Sequence, residues 1–461
     1  MKVPLYFFVP RRRHTLPGRF YISMAAFLPR SDEAVSHTAA IRELVRKGET
    51  NEACVALSAM IAKLFDLDVL DLVINADLYS LNSLNGSFRA ETEKYVFKFH
   101  QEEGEEAMAG EYYRAGLLAD AGLPVDMPVY VSALPGEQIL LYRYRSDQRF
   151  ADILRDLEYD DNQVEHGKAV QAEMDLNRRL LDIYCRDLHS ITAAQSVAEP
   201  IHQLFHARLV TRTKNSFPGG RYKEYYVGQA VSLAGVTLGW DNFATRKFVI
   251  NGIRYRDTID ELFTAAQARL APHALSDAGG VVAHGDAHNA NIWYHRVAGN
   301  VELQLFDPAF AGAHVPSLLA EIKATFHNIL AHPFWLYDPV TAAGRFSADV
   351  TVSGNEICID TDWKLSAIRQ DLLTAKAEYF WRPWLATLAQ HGFLSSDWRH
   401  VIRLSLFLCP VLVMNLRAGA TRHNQVSSTI GFACAMMVGS EPEGEDFISR
   451  FLDMIDPRLY Q

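Results

Sequence analysis

Cysteine is scarce in this 461-residue chain, and its spacing argues against a disulfide framework and against a zinc site. The five cysteines are Cys54, Cys185, Cys358, Cys409 and Cys434, and no two of them form a C-x-x-C pair. An odd number with irregular spacing is typical of reduced thiols and matches neither a disulfide framework nor a zinc site. The sequence therefore predicts a cytoplasmic protein without structural disulfides.

Long apolar runs and an excess of positive charge are also absent. No apolar segment reaches the roughly 18 residues that a membrane helix needs, and the longest, Leu404 to Leu416, is interrupted by Pro410. The formal net charge is -10, whereas a general nucleic-acid-binding protein normally presents a basic surface. We therefore expect neither a membrane nor a nucleic acid as a partner.

Several familiar catalytic motifs are missing as well. The chain has no P-loop, no H-E-x-x-H and no G-x-S-x-G, so other NTPase and hydrolase classes have no signature here. The Asp-Phe-Gly and Ala-Pro-Glu segments of protein kinases are absent too.

The most informative stretch that is present runs from Val281 to Gly312, VVAHGDAHNANIWYHRVAGNVELQLFDPAFAG. A short apolar strand at 281–283 precedes a polar loop, and a second strand at 301–306 ends at Asp307. Asp286 and Asn291 stand in an H-x-D-x-x-x-x-N pattern, the spacing of the catalytic loop of protein kinases. The pattern predicts Asp286 as the catalytic base or hydroxyl-orienting group. It predicts Asn291 and Asp307 as ligands of Mg²⁺, which prefers oxygen donors.

HGDAHNAN followed by LFDPAFAG resembles the aminoglycoside phosphotransferase and choline kinase family, the kinase-like small-molecule phosphotransferases. The Pro-Ala after the metal Asp is also similar to fructosamine kinases. The resemblance is strongest over residues 81–321. It implies an α+β, bilobal protein-kinase-like fold, with a small β-rich N-lobe and a larger, mainly helical C-lobe. It also implies ATP and Mg²⁺ as cofactors.

One segment departs from the family. Its members often place an Asp-Leu-Ala segment shortly after the metal Asp, where that Asp braces the catalytic loop. This chain has Leu318-Leu319-Ala320 and then Glu321. Either Glu321 or His314 would have to replace the bracing Asp.

Three regions follow from this resemblance. Residues 1–65 form an N-terminal extension, residues 66–145 a nucleotide-binding N-lobe, and residues 146–461 a C-lobe with an insertion at about 200–270 and C-terminal helices. The first 31 residues contain five arginines before any acidic residue. A disordered arm, a transit peptide and a true start at Met24 all remain open for this segment.

Three residues of the predicted N-lobe are assigned to the phosphates of ATP, and a glutamate is assigned to the lysine among them. Strands at 79–84 and 88–91 flank Asn85-Gly86-Ser87, a predicted turn, and the resemblance implies that Gly86 and Ser87 cover the phosphates there. Lys98 alternates with the aromatic residues at 95, 97 and 99, so it lies on the opposite face of its strand. The resemblance makes it the phosphate-binding lysine. A Glu on the helix predicted at 102–121 pairs with this lysine, either Glu111, which we favour, or Glu106.

The strand predicted at 138–144 is expected to enter the hinge between the lobes. There the resemblance implies that adenine bonds the backbone near Tyr142 and Tyr144.

The insertion carries a basic and aromatic cluster with two open interpretations: a substrate-selecting element over the cleft, or a solvated surface. If it faces the cleft, its positive charge suits an anionic acceptor or the nucleotide rather than an aminoglycoside. The cluster consists of His202, His206, Arg208, Arg212, Lys214, Arg221, Tyr222, Lys223, Tyr225 and Tyr226.

Together these features predict a phosphotransferase that moves the γ-phosphate of ATP to a hydroxyl group of a small molecule. Amino sugars, sugars, amino alcohols, aminoglycosides and fructosamine-like sugars are all open as acceptors. The alternatives are a catalytically weak nucleotide-binding protein that acts through a partner, and a protein kinase. The HGD in place of His-Arg-Asp disfavours the protein kinase.

Overall fold

The computed structural model describes residues 37–75, 83–100, 114–132, 134, 136–160, 162–211, 213–331 and 333–460. Within these residues the buried apolar side chains form two separate clusters. The smaller one lies between Ile41 and Leu141, and the larger one begins at Leu118 and extends to Ile455. The structure thus confirms the predicted α+β class, with a sheet-rich N-terminal part and a mainly helical C-terminal part.

The elements of the N-terminal part are α1 (His37–Arg46), α2 (Thr50–Phe65), β1 (Leu70–Ile74), β2 (Ser83–Ala90), β3 (Glu93–His100), α3 (residues 114–121), β4 (Tyr130–Ser132) and β5 (Ile139–Arg143). The strands form a five-stranded antiparallel sheet in the order β1-β2-β3-β5-β4. The helices α1 and α2 belong to its core, because Ile41 of α1 and Leu57 and Ile61 of α2 join the same apolar cluster as the strands.

The predicted turn at residues 85–87 is wrong, because these residues lie in the middle of β2. They pair with residues 96–98 of β3, and the chain turns at residues 91–92. A Cβ on Gly86 would lie 2.0 Å from the carbonyl oxygen of Val73. Glycine is therefore required by the close approach of β1, which outweighs the local preference of Asn-Gly for a turn.

The C-terminal part alternates helices with small sheets. Its strands are β6 (Gln148–Arg149), β7 (Ala230–Leu233), β8 (Val236–Gly239), β9 (Lys247–Ile250), β10 (Ile253–Arg254), β11 (Gly280–Ala283), β12 (Ile292–Val297), β13 (Asn300–Leu305), β14 (Gly312–Pro316), β15 (Ala348–Ser353) and β16 (Glu356–Thr361). Its α-helices are α4 (Phe150–Asp156), α5 (Gln163–Asp187), α6 (Ala193–Ala198), α7 (Gly220–Tyr225), α8 (Trp240–Ala244), α9 (Ile259–Arg269), α10 (Ile322–Thr325), α11 (Pro339–Arg345), α12 (Ala367–Lys376), α13 (Arg382–Gln390), α14 (Trp398–Val413), α15 (Gln425–Gly439) and α16 (Phe447–Met454).

Shorter helical turns complete the C-terminal part. The 3₁₀ turns are Pro200–Leu204, His206–Arg208, Pro272–Ala278, Asn289–Asn291 and Pro457–Tyr460, and the π-helical turns are Phe326–Leu330, Pro333–Tyr337 and Ala377–Trp381.

The predicted insertion is tied to the C-terminal region by a sheet. Strand β9 pairs in parallel with β16, within a sheet of order β10-β9-β16-β15. Asn251 and Gly252 form the turn between β9 and β10. The insertion is therefore part of the larger core.

Pro316 lies at the end of a strand and does not begin a helix. Residues 312–316 form β14, which pairs with β11, and the helix α10 begins at Ile322. Ser317 extends this connection, since its backbone N–H donates to Gly279 and its hydroxyl to the carbonyl of Ala278. Strand pairing thus prevails over the preference of proline for a first helical turn.

None of the helices in the described ranges is long and apolar enough to cross a membrane.

Candidate active site

The loop between β11 and β12 carries Asp286 and is held by its own hydrogen bonds. His284 is fully buried, and its Nδ1 accepts the N–H of Asp286 at 3.3 Å. This leaves the Nε2 proton of His284 for the carbonyl oxygen of Phe306, 2.9 Å away. The histidine thereby connects the catalytic loop to the end of β13, where Asp307 follows.

Asn291 closes the same loop and keeps one ligand atom available. Its Nδ2 donates to the carbonyl oxygen of Asp286 at 3.0 Å, and its backbone N–H donates to His288 at 2.7 Å. Because the amide nitrogen makes the loop contact, the Oδ1 atom of Asn291 is left as an acceptor for a cation.

A residue outside the motif also braces the loop. The backbone N–H of Asn289 donates to Oδ1 of Asn328 at 2.7 Å. The predicted replacements do something else: Glu321 is buried and accepts hydrogen bonds from Tyr184 and Lys376, and the imidazole of His314 contacts His189. Asn328 lies on the π-helical turn after α10, and no pattern in a single sequence connects it with the catalytic loop.

Asp307 meets Lys98 across the cleft between the N-terminal sheet and the C-terminal part. The Nζ atom of Lys98 lies 2.7 Å from Oδ1 of Asp307. Asp307 has a φ of 58°, a left-handed conformation that non-glycine residues adopt rarely and that clusters at functional sites. The structure thus brings together two residues that the sequence assigned to phosphates and metal.

The carboxylate of Asp286 has an unsatisfied oxygen. Oδ1 is buried and has no hydrogen-bond partner, while Oδ2 lies 3.7 Å from Nε2 of His288. Buried polar atoms in folded proteins are nearly always paired, so an orphan acceptor indicates a missing donor. A substrate hydroxyl group is a donor of the right kind.

The imidazole of His288 lies beside this carboxylate, and its buried position favours the neutral form. Burial lowers its pKa, with the charge of Asp286 acting in the opposite direction. Nδ1 accepts the N–H of Ala290 at 3.2 Å, so the neutral ring carries its proton on Nε2, the atom that faces Asp286.

The donors present fit a magnesium ion that arrives with a nucleotide. In the described part of the chain, no group of three or more His, Cys, Asp or Glu residues is arranged to hold a metal ion. Mg²⁺ needs only one or two protein ligands when phosphates and water supply the others. Asp307 and the amide oxygen of Asn291 offer two such oxygen atoms, and their role as metal ligands stays a prediction.

The predicted nucleotide-binding residues of β2 and β3 lie on different faces of the N-terminal sheet. Lys98 pairs with Asn85, and Ser87 pairs with Val96, so these side chains share the face opposite the buried Phe97. Gly86 belongs to the buried face. Lys98 and Ser87 therefore lie on the accessible face, and their contact with a nucleotide stays a prediction.

The other predicted nucleotide-binding residues are Tyr142, Tyr144 and Glu111. Tyr142 pairs with Val96 inside the sheet. The backbone N–H of Tyr144 donates to Lys94 at 2.8 Å, and Lys94 also lies over its ring at 3.8 Å. An adenine acceptor at the Tyr144 N–H would thus have to displace a backbone bond. Glu111 and its alternative Glu106 lie outside the described residues.

Comparison with known proteins gives fold-level neighbours. No family model and no curated protein matches the chain. Among solved structures, it is similar to a thermostable mutant of an aminoglycoside phosphotransferase in complex with AMP-PNP and hygromycin B. That match has 12% identity, covers 83% of this chain and 98% of the other, and has a TM-score of 0.41.

Two further neighbours have related descriptions. A spectinomycin phosphotransferase with ADP and spectinomycin is 11% identical over 82% of this chain and 98% of its own, with a TM-score of 0.35. A macrolide 2'-phosphotransferase from Brachybacterium faecium is 14% identical over 82% of this chain and 97% of its own, also with a TM-score of 0.35. All three of these proteins are described as phosphotransferases. Because the identities are 11–14%, the role of each residue has to be argued from the geometry of this chain and is not transferred from these proteins.

Proposed function

We propose that the protein is an ATP-dependent phosphotransferase that moves the γ-phosphate of ATP to a hydroxyl group of a small molecule. One arrangement supports this most directly. The orphan Oδ1 of Asp286 lies on the loop that also presents Asn291, and the next hairpin ends at Asp307, in contact with Lys98. Phosphoryl transfer needs such groups in one cleft.

Lys98 and Asp307 have complementary tasks when the nucleotide enters. Each now offsets the charge of the other at 2.7 Å. Phosphate oxygens would give Lys98 anionic partners, and the carboxylate of Asp307 and the amide oxygen of Asn291 would hold Mg²⁺. The ion, when bound, neutralises charge that develops on the transferred phosphoryl group. The ion pair therefore occupies the site until the nucleotide and metal replace it.

Asp286 would act on the acceptor. Its Oδ1 accepts the hydrogen bond of the attacking hydroxyl group, which points the hydroxyl oxygen at the γ-phosphorus and gives its proton a destination. The Nε2 proton of His288 faces Oδ2 of the same carboxylate, and His284 fixes the backbone of Asp286. Oδ1 is thus the atom left for substrate.

The location of the protein is also a proposal. All five cysteines are free, which is compatible with a reducing compartment such as the cytoplasm.

The test compares wild type with Asp286→Ala. ADP formation from Mg·ATP is measured with a panel of amino sugars, sugars, amino alcohols, aminoglycosides and hydroxylated acids. AMP-PNP binding is measured by calorimetry. We expect turnover to fall by about 10²–10⁴-fold in the variant, the usual loss of one general base, with AMP-PNP bound as in wild type. A variant that keeps most of its turnover would refute the assigned role.

A further inference from the structure

Two arginines of the insertion converge near the catalytic loop. Nη1 of Arg221 donates to the carbonyl oxygen of Leu412 at 2.9 Å, and Nη1 of Arg208 reaches the same oxygen at 3.3 Å. Both guanidinium groups therefore lie at the C-terminal end of α14. Burial and the neighbouring Arg221 together lower the pKa of Arg208 to about 10, while the charge of Asp286 acts in the opposite direction. Arg208 thus lies within reach of the charge of Asp286.

Most of the donors on these guanidinium groups are not used by the protein. Each group has several N–H donors, and the bonds to the end of α14 engage Nη1 alone. The other side-chain nitrogens are not among the buried atoms that lack a partner, so they face solvent. They are available to a ligand in the cleft.

A third basic residue, Lys323, is connected to the catalytic loop through two histidines. Lys323 on α10 is 4% exposed, and its Nζ lies 3.1 Å from Nε2 of His327. The His327 ring lies 5.1 Å from the ring of His288, between centroids, and His288 is the neighbour of Asp286. Burial lowers the pKa of Lys323, Asp286 raises it, and Arg208 and Arg221 lower it. Arg208, Arg221 and Lys323 thus lie near one another, and Arg208 and Lys323 also lie near Asp286.

This group lacks nearby counterions. In the ranges that the structure describes, no Asp or Glu forms an ion pair with Arg208, Arg221 or Lys323; their polar contacts are backbone carbonyls and a histidine. Arg208 and Lys323 share Asp286 as the carboxylate that raises their pKa values, and Lys323 is itself buried, where charges are normally paired. Arg208, Arg221 and Lys323 therefore have fewer acidic partners than there are basic groups among them.

We propose that the acceptor carries an anionic group, a carboxylate or a phosphate ester, besides the hydroxyl that is phosphorylated. Arg208, Arg221 and Lys323 bind this anion while the hydroxyl group meets Asp286. This deepens the proposed function and rests on it. The same three cations repel a polycationic acceptor such as an aminoglycoside, and repulsion of the wrong ligand is a means of specificity.

A purely structural role accounts for only part of the arrangement. Basic side chains often bind the last carbonyls of a helix, and Arg208 and Arg221 do so at α14. That role engages one nitrogen of each guanidinium group. It explains neither the remaining donors that face solvent nor the buried charge of Lys323, which makes no contact with the end of α14.

Calorimetry with the nucleotide site filled tests the proposal. Wild type is first saturated with Mg·AMP-PNP, so that a second anion cannot enter the triphosphate site. It is then titrated with inorganic phosphate and, separately, with malonate. The tighter of the two probes distinguishes a phosphate ester from a carboxylate. Kanamycin serves as the polycationic probe.

The matched variants are Arg208→Gln, Arg221→Gln and Lys323→Met, with Arg417→Gln as control. Arg417 also donates to backbone carbonyls of this region, those of Tyr225 and Ala230, but its charge is not among those that act on Arg208 or Lys323. Circular dichroism and the AMP-PNP affinity identify variants that fail to fold, and any one folded variant suffices.

We expect saturable binding of at least one anion to wild type and to the control, and weakening by about tenfold or more in each folded test variant, the size of a lost charge-assisted hydrogen bond. AMP-PNP affinity should change by less than about twofold, because the proposed nucleotide and metal contacts are made by Lys98, Asp307 and Asn291 and not by these three cations. Absence of saturable anion binding beside bound AMP-PNP, equal binding in the folded variants, or binding of kanamycin instead would overturn the proposal. If AMP-PNP fails to bind while phosphate binds as expected, the proposed function fails and the anion site stands.

Discussion

Two lysine–carboxylate pairs of equal length allow catalytic and structural roles to be separated. Lys98 and Asp307 lie 2.7 Å apart in the cleft, and Lys376 and Glu321 lie 2.7 Å apart inside the larger core. The side chains of the cleft pair are 18% and 38% exposed, whereas those of the core pair are 2% and 1% exposed. We predict opposite effects for Lys98→Met and Lys376→Met.

The magnitudes follow from exposure. A partly exposed ion pair contributes about 0–1 kcal/mol, so Lys98→Met should change the free energy of unfolding by about 1 kcal/mol or less. Removal of Lys376 leaves the carboxylate of Glu321 buried with Tyr184 as its remaining partner, which costs about 3–5 kcal/mol. For turnover the order reverses, because only Lys98 is assigned to the phosphates.

The assay combines urea unfolding with steady-state kinetics on the same preparations. Lys98→Met should lose about a hundredfold or more in kcat/KM, comparable with the loss of other electrostatic contacts to a transition state. Lys376→Met should keep wild-type kcat/KM per folded molecule. The reasoning is refuted if Lys98→Met is as unstable as Lys376→Met and remains active, since the cleft pair would then be structural.

Three further predictions concern the metal, the pH dependence of stability and the sheet. Asp307→Asn should weaken Mg·ATP binding far more than metal-free ATP binding in calorimetry, and equal weakening would indicate a structural Asp. Burial lowers the pKa of His202 from 6.5 to about 4. The unfolded chain therefore binds the proton first, and this stabilising contribution, about 3 kcal/mol, is complete above pH 6.5 and lost as the pH falls to 4. Unfolding free energies across this range should fall less in His202→Gln, and equal slopes would contradict the assignment. Gly86→Ala should cost about 1–3 kcal/mol through overpacking against Val73. Gly116, with nothing within 4 Å, serves as the control, and equal tolerance of both changes would contradict the packing.

The sequence predicts the part of the site that lies within one contiguous segment, residues 281–307. The strand before Asp286 and the strand before Asp307 are present as predicted, because short apolar runs that end in polar residues need no distant information. The intervening strand β12, Ile292–Val297, was not recognised. Only Ile292 and Tyr294 of this strand are buried, and the partly exposed Trp293 and His295 lie on its other face.

Features that depend on distant contacts were not predictable in the same way. Gly86 is needed because β1 crosses close to it, and the local sequence Asn-Gly indicates a turn instead. Asn328 reaches Asn289 through the packing of two segments. The sequence leaves the position of Arg208 and Arg221 open, since it depends on the end of α14, which lies 204 and 191 residues further along the chain.

Following the γ-phosphate of radiolabelled ATP tests the central claim most directly. Wild type and Asp286→Ala are incubated with Mg·ATP and the acceptor panel, and the label is counted in ATP, in the small-molecule fraction and on protein. We predict that wild type moves the label to a small molecule and that Asp286→Ala does so about 10²–10⁴-fold more slowly. Label that stays on ATP would indicate a catalytically weak nucleotide-binding protein, and label on protein would indicate a protein kinase. Either result would contradict the account.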